Sequence, residues 1–134
     1  MPTSDTTGAL ASGQMKVAVS ALGLSLDDRV DERFGRAVYL LIVDTGTMSV
    51  DAVDNARNRD ALQGAGIGAA EIVSEHQATA VITGHLGPKA FRALELAGVT
   101  GYDGTGMTVR AALAALGSGD LTELTEGEAH TGAQ

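Results

Sequence analysis

The 134-residue chain contains no cysteine. This absence excludes disulfides, metal sites held by thiolates and cysteine nucleophiles. The chain also lacks tryptophan, and two phenylalanines with two tyrosines are its only aromatic residues, too few for a base-stacking platform. Because the chain has no cysteine, any metal cofactor must be held by groups other than thiolates.

Positive charge is also scarce, since nine Lys and Arg face seventeen Asp and Glu, for a net charge of −8. Such an acidic surface repels phosphate backbones, so the sequence predicts no nucleic-acid binding. No apolar run approaches the roughly 20 residues of a membrane span, and residues 1–14 lack the basic and hydrophobic regions of a signal peptide. We therefore expect a cytoplasmic protein without membrane association.

The chain is long enough for one domain, and 44% of its residues are hydrophobic, so a buried core is expected. Residues 1–14 are small and polar without periodicity, which predicts a flexible N-terminal tail. The domain is expected at 15–117. Residues 118–134 are predicted to form a flexible acidic tail, in which Leu121 and Leu124 are the side chains able to dock.

Hydrophobic periodicity predicts an α/β fold. Strands are expected at 16–20, 37–44, 48–53, 80–83 and 99–102, and helices at 65–75, from Pro88 to Gly98 and at 108–116. The tight turn Thr45–Thr47 makes the second and third strands antiparallel, and the later alternation of strands and helices implies parallel pairing. The prediction is a three-layer domain with a mixed five-stranded sheet and helices on both faces.

Ligands of open α/β sheets bind at the carboxyl ends of the parallel strands. Four loops should meet there, at 22–36, 54–65, 84–89 and 103–108. Helix N-termini in these loops would present N–H groups and a positive dipole, which favours an anion. Six of the nine cations lie in these loops: Arg29, Arg33, Arg36, Arg57, Arg59 and Lys89. Interleaved carboxylates leave open the simpler explanation of ordinary solvated loops.

Enzyme motifs match poorly. The segment 84–90 lacks the spacing of a phosphate loop, and the glycine pattern at 64–69 follows a polar loop instead of a strand. The first strand carries no carboxylate for a two-metal nuclease, and no nucleophile–base pair is evident. We expect no catalysis, with a nucleotide-binding enzyme as a weaker alternative. His85, between two glycines at the ligand edge, is equally compatible with a structural and a ligand-contacting role.

Three motifs identify a resemblance over residues 15–116. They are Arg33-Phe34-Gly35-Arg36, Gly64-Ala65-Gly66-Ile67 and the segment GHLGPKAF at 84–91. In this order they resemble the dinitrogenase iron–molybdenum cofactor biosynthesis family, whose first motif usually begins with histidine where this chain has Arg33.

The resemblance implies a ribonuclease-H-like fold without nuclease activity that binds or carries metal–sulfur clusters. One subgroup, the orange proteins, holds a molybdenum–copper sulfide cluster non-covalently. This chain has an arginine in place of the family histidine and contains no cysteine. In both respects it resembles the orange-protein subgroup, because a fixed cation suits electrostatic capture of an anion. An iron–molybdenum-type cluster is the other cofactor that the resemblance implies.

The expected function is therefore a non-enzymatic metal-binding carrier of a preformed anionic molybdenum–sulfide cluster. Cations, backbone amides and apolar side chains would hold the cluster, with His85 as the one candidate for direct metal ligation. The expected site residues are Arg33, Phe34, Arg36, Gly64, Ala65, Gly66, Ile67, His85, Leu86, Lys89, Gly106 and Met107. The alternative is an adaptor for a partner ATPase, regulator or cofactor-assembly protein, with no obligatory cluster.

Overall fold

The protein is described here by a computed structural model, which covers residues 15–125. One mixed sheet forms its centre. The strands are β1 (Lys16–Ala21), β2 (Tyr39–Asp44), β3 (Ser49–Asp54), β4 (Ala80–Thr83), β5 (Thr100–Asp103) and β6 (Thr122–Glu123). The helices are α1 (Ala56–Arg59), α2 (Ala65–Glu75), α3 (Pro88–Leu96) and α4 (Val109–Gly117).

The strand order across the sheet is β3-β2-β1-β4-β5-β6. Strands β1, β4 and β5 are parallel, while β2, β3 and β6 pair antiparallel with their neighbours. Every residue of β1 except Lys16 is buried, which agrees with its continuous apolar sequence and its central position. The carboxyl ends of the three parallel strands consequently share one edge of the sheet.

Alternating residues of the sheet divide the core into two layers. Leu40 and Ile42 of β2 pack with α2 and α3 on one face. Leu41 and Val43 pack with Val109 and its neighbours in α4 on the other face. The predicted three-layer α/β architecture with helices on both faces is thus confirmed.

Particular residues determine where the helices begin at the carboxyl edge of the sheet. Thr108 caps α4, because its side-chain oxygen accepts a hydrogen bond from Ala111 N, as its position predicts. Pro88 occupies the first turn of α3, where its missing N–H costs no intrahelical bond. The predicted antiparallel hairpin is present, with Met48 in the left-handed region (φ 61°) at its turn.

The prediction of five strands was wrong, because the short strand β6 adds a sixth. Residues 122–123 pair with β5, and Leu124 is buried against the α2–α3 face. These residues fall in the range 118–134 for which a tail is expected, and 126–134 lie outside the described residues. The predicted tail at 1–14 also lies outside them.

Within residues 15–125, no helix combines the length and hydrophobicity that are needed to cross a membrane.

Candidate functional site

A cleft of about 490 Å³ lies at the carboxyl edge of the sheet, between the turn at 33–36 and the first turns of α2 and α3. We call it the basic cleft. Its lining residues are Glu32, Arg33, Phe34, Gly35, Arg36, Ala65, Gly66, His85, Gly87, Pro88, Lys89 and Ala90.

Small residues bring the walls of the basic cleft together. A Cβ on Gly35 would lie 2.6 Å from the backbone nitrogen of Gly66, so the turn at 33–36 rests directly on the main chain of α2. A Cβ on Gly66 would in turn lie 2.8 Å from the Cβ of Ala90 in α3. Glycine is required at both positions because backbone approaches backbone or a neighbouring methyl group.

Two helix N-termini contribute N–H donors to the basic cleft. The residues that precede α2 and α3 are Gly64 and Gly87, and neither has a side chain to cap the helix. The first-turn amides of a helix have no intrahelical acceptor. With Ala65, Gly66, Lys89 and Ala90 in the lining, this arrangement favours an anion through both hydrogen bonding and the helix dipoles.

Arg33 lines the basic cleft as half of an ion pair. Its Nε and one terminal nitrogen each donate to Asp31, one to each carboxylate oxygen, at 3.0 Å. Asp31 is only 2% exposed, whereas the Arg33 side chain is 58% exposed. Arg33 therefore presents donors to the cleft while a buried carboxylate compensates its charge.

The pKa of Asp31 reflects two opposing causes. Burial raises the pKa of its carboxyl, but hydrogen bonds from the Arg33 side chain, Arg33 N and Val38 N together lower it below its ordinary value. The same pair raises the pKa of the Arg33 guanidinium. Both groups are consequently charged throughout the neutral range.

The other two cations of the basic cleft are not paired with carboxylates. One Arg36 nitrogen donates to the carbonyls of Arg59 (2.7 Å) and Ala61 (2.9 Å), which leaves its charge uncompensated. The Lys89 side chain forms no hydrogen bond or ion pair with the residues at 15–125. Glu32 is the one carboxylate in the lining, so the cleft is a positive patch on an acidic protein.

The described part of the chain holds no group of three or more His, Asp or Glu side chains arranged to bind a metal ion. The guanidinium, ammonium and amide N–H groups of the basic cleft can capture an anion.

The cleft brings seven of the twelve predicted site residues together. Turn 33–36 supplies two cations and the buried Phe34, and α2 supplies two backbone positions. His85 and Lys89 come from the loop after β4 and from α3. The seven are Arg33, Phe34, Arg36, Ala65, Gly66, His85 and Lys89. Their joint role in binding stays a prediction.

Five predicted residues lie outside the lining. Gly64 precedes α2 with its φ at 79°, and Ile67 is 41% exposed on that helix. Leu86 points into the core, where it is 1% exposed beside Leu94. Its position shows why an apolar residue between two glycines cannot be assigned to a ligand wall from sequence.

Gly106 and Met107 form a separate loop. Their carbonyl oxygens accept hydrogen bonds from the Arg29 side chain (3.0 Å) and from Val30 N (2.9 Å). The Met107 side chain packs against the core on the α4 face. Of the four loops expected to converge, the one at 103–108 therefore meets the first loop at 28–30 and lies beside Gly84, but none of its residues lines the basic cleft.

Five lining residues were absent from the predicted set: Glu32, Gly35, Gly87, Pro88 and Ala90. Four of them lie inside the quoted motifs, so the motif positions themselves were the available signal. Glu32 directly precedes the first motif, and no pattern distinguished it from the neighbouring acidic residues.

The family model of the dinitrogenase iron–molybdenum cofactor matches residues 15–119. The chain belongs to this family. Its described residues contain all three motifs, and two of them, at 33–36 and 84–91, supply most of the basic cleft.

Solved structures agree with the assignment to the dinitrogenase iron–molybdenum cofactor family. The apo form of the orange protein from Desulfovibrio gigas is 39% identical, with a TM-score of 0.80, over 84% of this chain and 94% of that chain. A Thermotoga protein described as a NifB candidate is 35% identical, with a TM-score of 0.73, over 83% and 94%.

A Methanocaldococcus jannaschii protein described as a dinitrogenase candidate is 17% identical, with a TM-score of 0.63, over 84% of this chain and 96% of that chain. At this identity the similarity shows the fold alone. No curated protein matches the chain significantly.

Proposed function

We propose that the protein is a non-enzymatic holder of an anionic molybdenum–sulfide cluster, bound non-covalently in the basic cleft. The cargo is a mixed molybdenum–copper sulfide or an iron–molybdenum-type cluster. The proposal keeps the cytoplasmic location that is predicted from the sequence.

One observation carries the proposal. In a chain with a net charge of −8, two uncapped helix N-termini and two cations without carboxylate partners face one cleft. The cations and free N–H groups that face this cleft repel one another when it is empty, and a bound anion would offset that repulsion.

The donor set fits a cluster that carries its own sulfide. The chain has no cysteine and the lining of the cleft contains no methionine, so sulfur bound to the metals there would come from the cargo. Amide and guanidinium N–H groups can donate to sulfide, and the buried Phe34 gives the cleft an apolar floor. A volume of about 490 Å³ falls in the range of roughly 300–1,000 Å³ that small-ligand sites occupy.

Binding without turnover is part of the proposal, and His85 and Glu32 are the other titratable side chains in the lining. The family description, which names the iron–molybdenum cofactor, and the resemblance to orange proteins support a metal–sulfur cargo.

The proposal is tested with tetrathiomolybdate, with and without a copper salt. The protein is incubated with this probe and desalted, and we expect visible absorption and molybdenum to elute with the protein. Colour that elutes only with small molecules, under both conditions, contradicts the proposal.

A matched pair of charge reversals locates the site. Lys89→Glu should weaken retention about tenfold or more, because it changes the charge in the cleft by two units next to a polyanion. The Lys89 side chain is exposed and has no hydrogen bond or ion pair to lose, so folding should be unchanged. Lys16→Glu makes the same change at the opposite edge of the sheet and should bind as the wild type does. Equal losses in both variants would place binding elsewhere.

The adaptor alternative is favoured by one separate observation. Leu62 is 96% exposed and directly follows Ala61, whose carbonyl, like that of Arg59, is held by Arg36 beside the basic cleft. An adaptor for an ATPase or a cofactor-assembly protein would bind its partner equally well with and without cargo, and Leu62→Ser would weaken that binding. Partner binding that requires the loaded form would reject the adaptor function.

A further inference from the structure

Asn55 is a buried polar residue that lies next to the basic cleft without lining it. It follows β3 directly, is 1% exposed, and belongs to the polar segment 54–63 that the sequence predicts as a loop. A buried amide needs specific partners, since each unsatisfied polar group is costly in the interior. The partners of Asn55 therefore indicate its role.

The Asn55 side chain holds the turn that carries two cations of the basic cleft. Its Nδ2 donates to the carbonyls of Gly35 and Ala37, both at 3.0 Å. These acceptors flank Arg36. Two carbonyl acceptors also fix the orientation of the amide, because a flipped amide would place its oxygen against them.

The opposite side of Asn55 connects this turn to two helices. Its Oδ1 accepts a hydrogen bond from Asn58 Nδ2 at 2.9 Å, within α1. Asn58 lies so close to Gly68 of α2 that a side chain at position 68 would collide with it. Asn55 thus links the 33–37 turn to the helix whose N-terminus forms the facing wall.

Arg36 completes a closed ring of contacts. Its guanidinium binds the carbonyls of Arg59 and Ala61, and Arg59 N donates to Asn55 O at 2.9 Å. The Asn55 side chain therefore holds the backbone on both sides of Arg36. The guanidinium of Arg36 is held by carbonyls of the segment that begins at Asn55. Removal of the Asn55 amide opens this ring at its buried end.

We propose that Asn55 is the positioning residue of the basic cleft, acting through Arg36: its amide fixes the 33–37 turn against α1 and α2 and thereby sets the place of the Arg36 charge. The part of this inference that concerns cargo rests on the proposed function, and the part that concerns the turn does not.

A double-mutant cycle separates positioning from general stability. Retention of tetrathiomolybdate is measured for Asn55→Ala, Arg36→Gln and Lys89→Gln, and for each cleft variant combined with Asn55→Ala. Arg36→Gln should weaken binding about tenfold in the wild-type background and less than twofold in the Asn55→Ala background. Lys89→Gln should cause a similar loss in both backgrounds, since α3 carries Lys89 independently.

Two further variants serve as controls. Asn55→Asp keeps the size but cannot donate to the two carbonyls, so it should reproduce the Asn55→Ala loss. Leu113→Ala creates a defect in the core on the α4 face and should lower Tm without changing retention. If Asn55→Ala fails to fold, Asn58→Ala takes its place, with a smaller non-additivity of the same sign.

Amide hydrogen exchange of the cargo-free protein tests the turn by itself. Asn55→Ala should speed exchange in peptides that cover 33–38, and leave peptides of α4 unchanged. Unchanged exchange at 33–38 overturns the inference. Two outcomes of the double-mutant cycle also overturn it: losses of retention that are strictly additive for Asn55→Ala and Arg36→Gln, or an Asn55→Ala background that reduces the effect of Lys89→Gln as much as that of Arg36→Gln. If the wild type retains no probe, the proposed function fails, while exchange still decides whether Asn55 holds the turn.

Discussion

Asp31 joins folding and the candidate site in a single side chain. Its carboxylate accepts hydrogen bonds from Arg33 and from Val38 N, and its backbone N donates to Ser20 O at 2.8 Å at the end of β1. The Ser20 hydroxyl donates to Asp31 O at 2.6 Å. The turn that carries the first motif is therefore built around one buried charge.

This arrangement predicts a pH dependence of stability. The pKa of Asp31 is lower in the folded than in the unfolded state, so its charge stabilises the fold above the ordinary carboxyl pKa of about 4. That stabilisation is lost as the pH falls through the folded-state pKa. Asp31→Asn should lower the free energy of unfolding by about 1–3 kcal/mol at pH 7, and the gap to the wild type should close in acid.

Urea unfolding between pH 7 and pH 2 measures this gap. Asp60→Asn is the matched control, because its carboxylate is exposed and lies 3.6 Å from Arg59, and exposed pairs contribute little. A gap that is independent of pH would show that Asp31 contributes through packing instead of charge.

At the residue scale, three of the six cations assigned to the loops line the cleft, whereas Arg29, Arg57 and Arg59 lie outside the lining. The sequence did not indicate the partners of these cations. Lys89 and Arg36 line the cleft as expected, since their positions next to glycine turns are visible in the sequence. The pairing of Arg33 with Asp31 depends on a turn that points both side chains the same way, and no spacing rule gives this. The role of Asn55 was hidden for the same reason, because its acceptors lie 18 and 20 positions earlier.

Among the elements, the glycines of the cleft differ in what surrounds them. Gly35 contacts the main chain of α2, whereas a Cβ on Gly87 would meet nothing within 4 Å. Gly87 also has extended dihedral angles (φ −68°, ψ 165°) that any residue can adopt. One position is therefore needed for folding, and the other leaves space that a ligand can occupy.

A pair of substitutions tests this difference. Gly35→Ala should destabilise the fold by about 1–3 kcal/mol, because the added methyl group must displace the turn or α2. Gly87→Val should lower the free energy of unfolding by no more than about 1 kcal/mol, because valine is a poorer N-cap than glycine. It should reduce tetrathiomolybdate retention, because its side chain fills part of the cleft. Thermal unfolding and the desalting assay measure the two effects, and full retention by Gly87→Val would mean that cargo does not use this space.

The elements with strong periodicity were predictable within one or two residues, and the weak ones were not. The apolar run of β1 and the period of α2 (Ala65–Glu75) are clear in the sequence. In contrast, β6 has two exposed residues and exists because β5 offers an edge, while α1 is a single turn in a polar segment. Both depend on tertiary context, which local patterns do not contain.

At the scale of the whole molecule, an acidic body surrounds a cationic cleft. The net charge of −8 repels an approaching anion over about 30 Å at 0.01 M salt, but over only about 8 Å at 0.15 M. The cations and helix termini of the cleft act at contact distance. Long-range and short-range electrostatics therefore oppose each other for an anionic cargo.

This opposition predicts an unusual dependence on salt. The association rate constant for tetrathiomolybdate should rise as ionic strength increases from 0.01 to 0.1 M, because salt first screens the long-range repulsion between the acidic surface and the anion. Dissociation should become faster at the higher salt concentrations, as the contacts in the cleft weaken. Stopped-flow absorbance measures both, and an association rate that falls steadily with salt would indicate that the cleft dominates at all distances.

The successive contacts of Gly35 with Gly66 and of Gly66 with Ala90 have a consequence for selectivity. The spacing of the backbone walls of the cleft is set by main chain against main chain and by one methyl group, with no long side chain at these contacts. Because the opening has a fixed width, the cleft should select among related anions by their size as well as their charge. Altered size preference would then require changes at these three small residues, whereas exchanges among the surrounding cations would tune only the strength of binding.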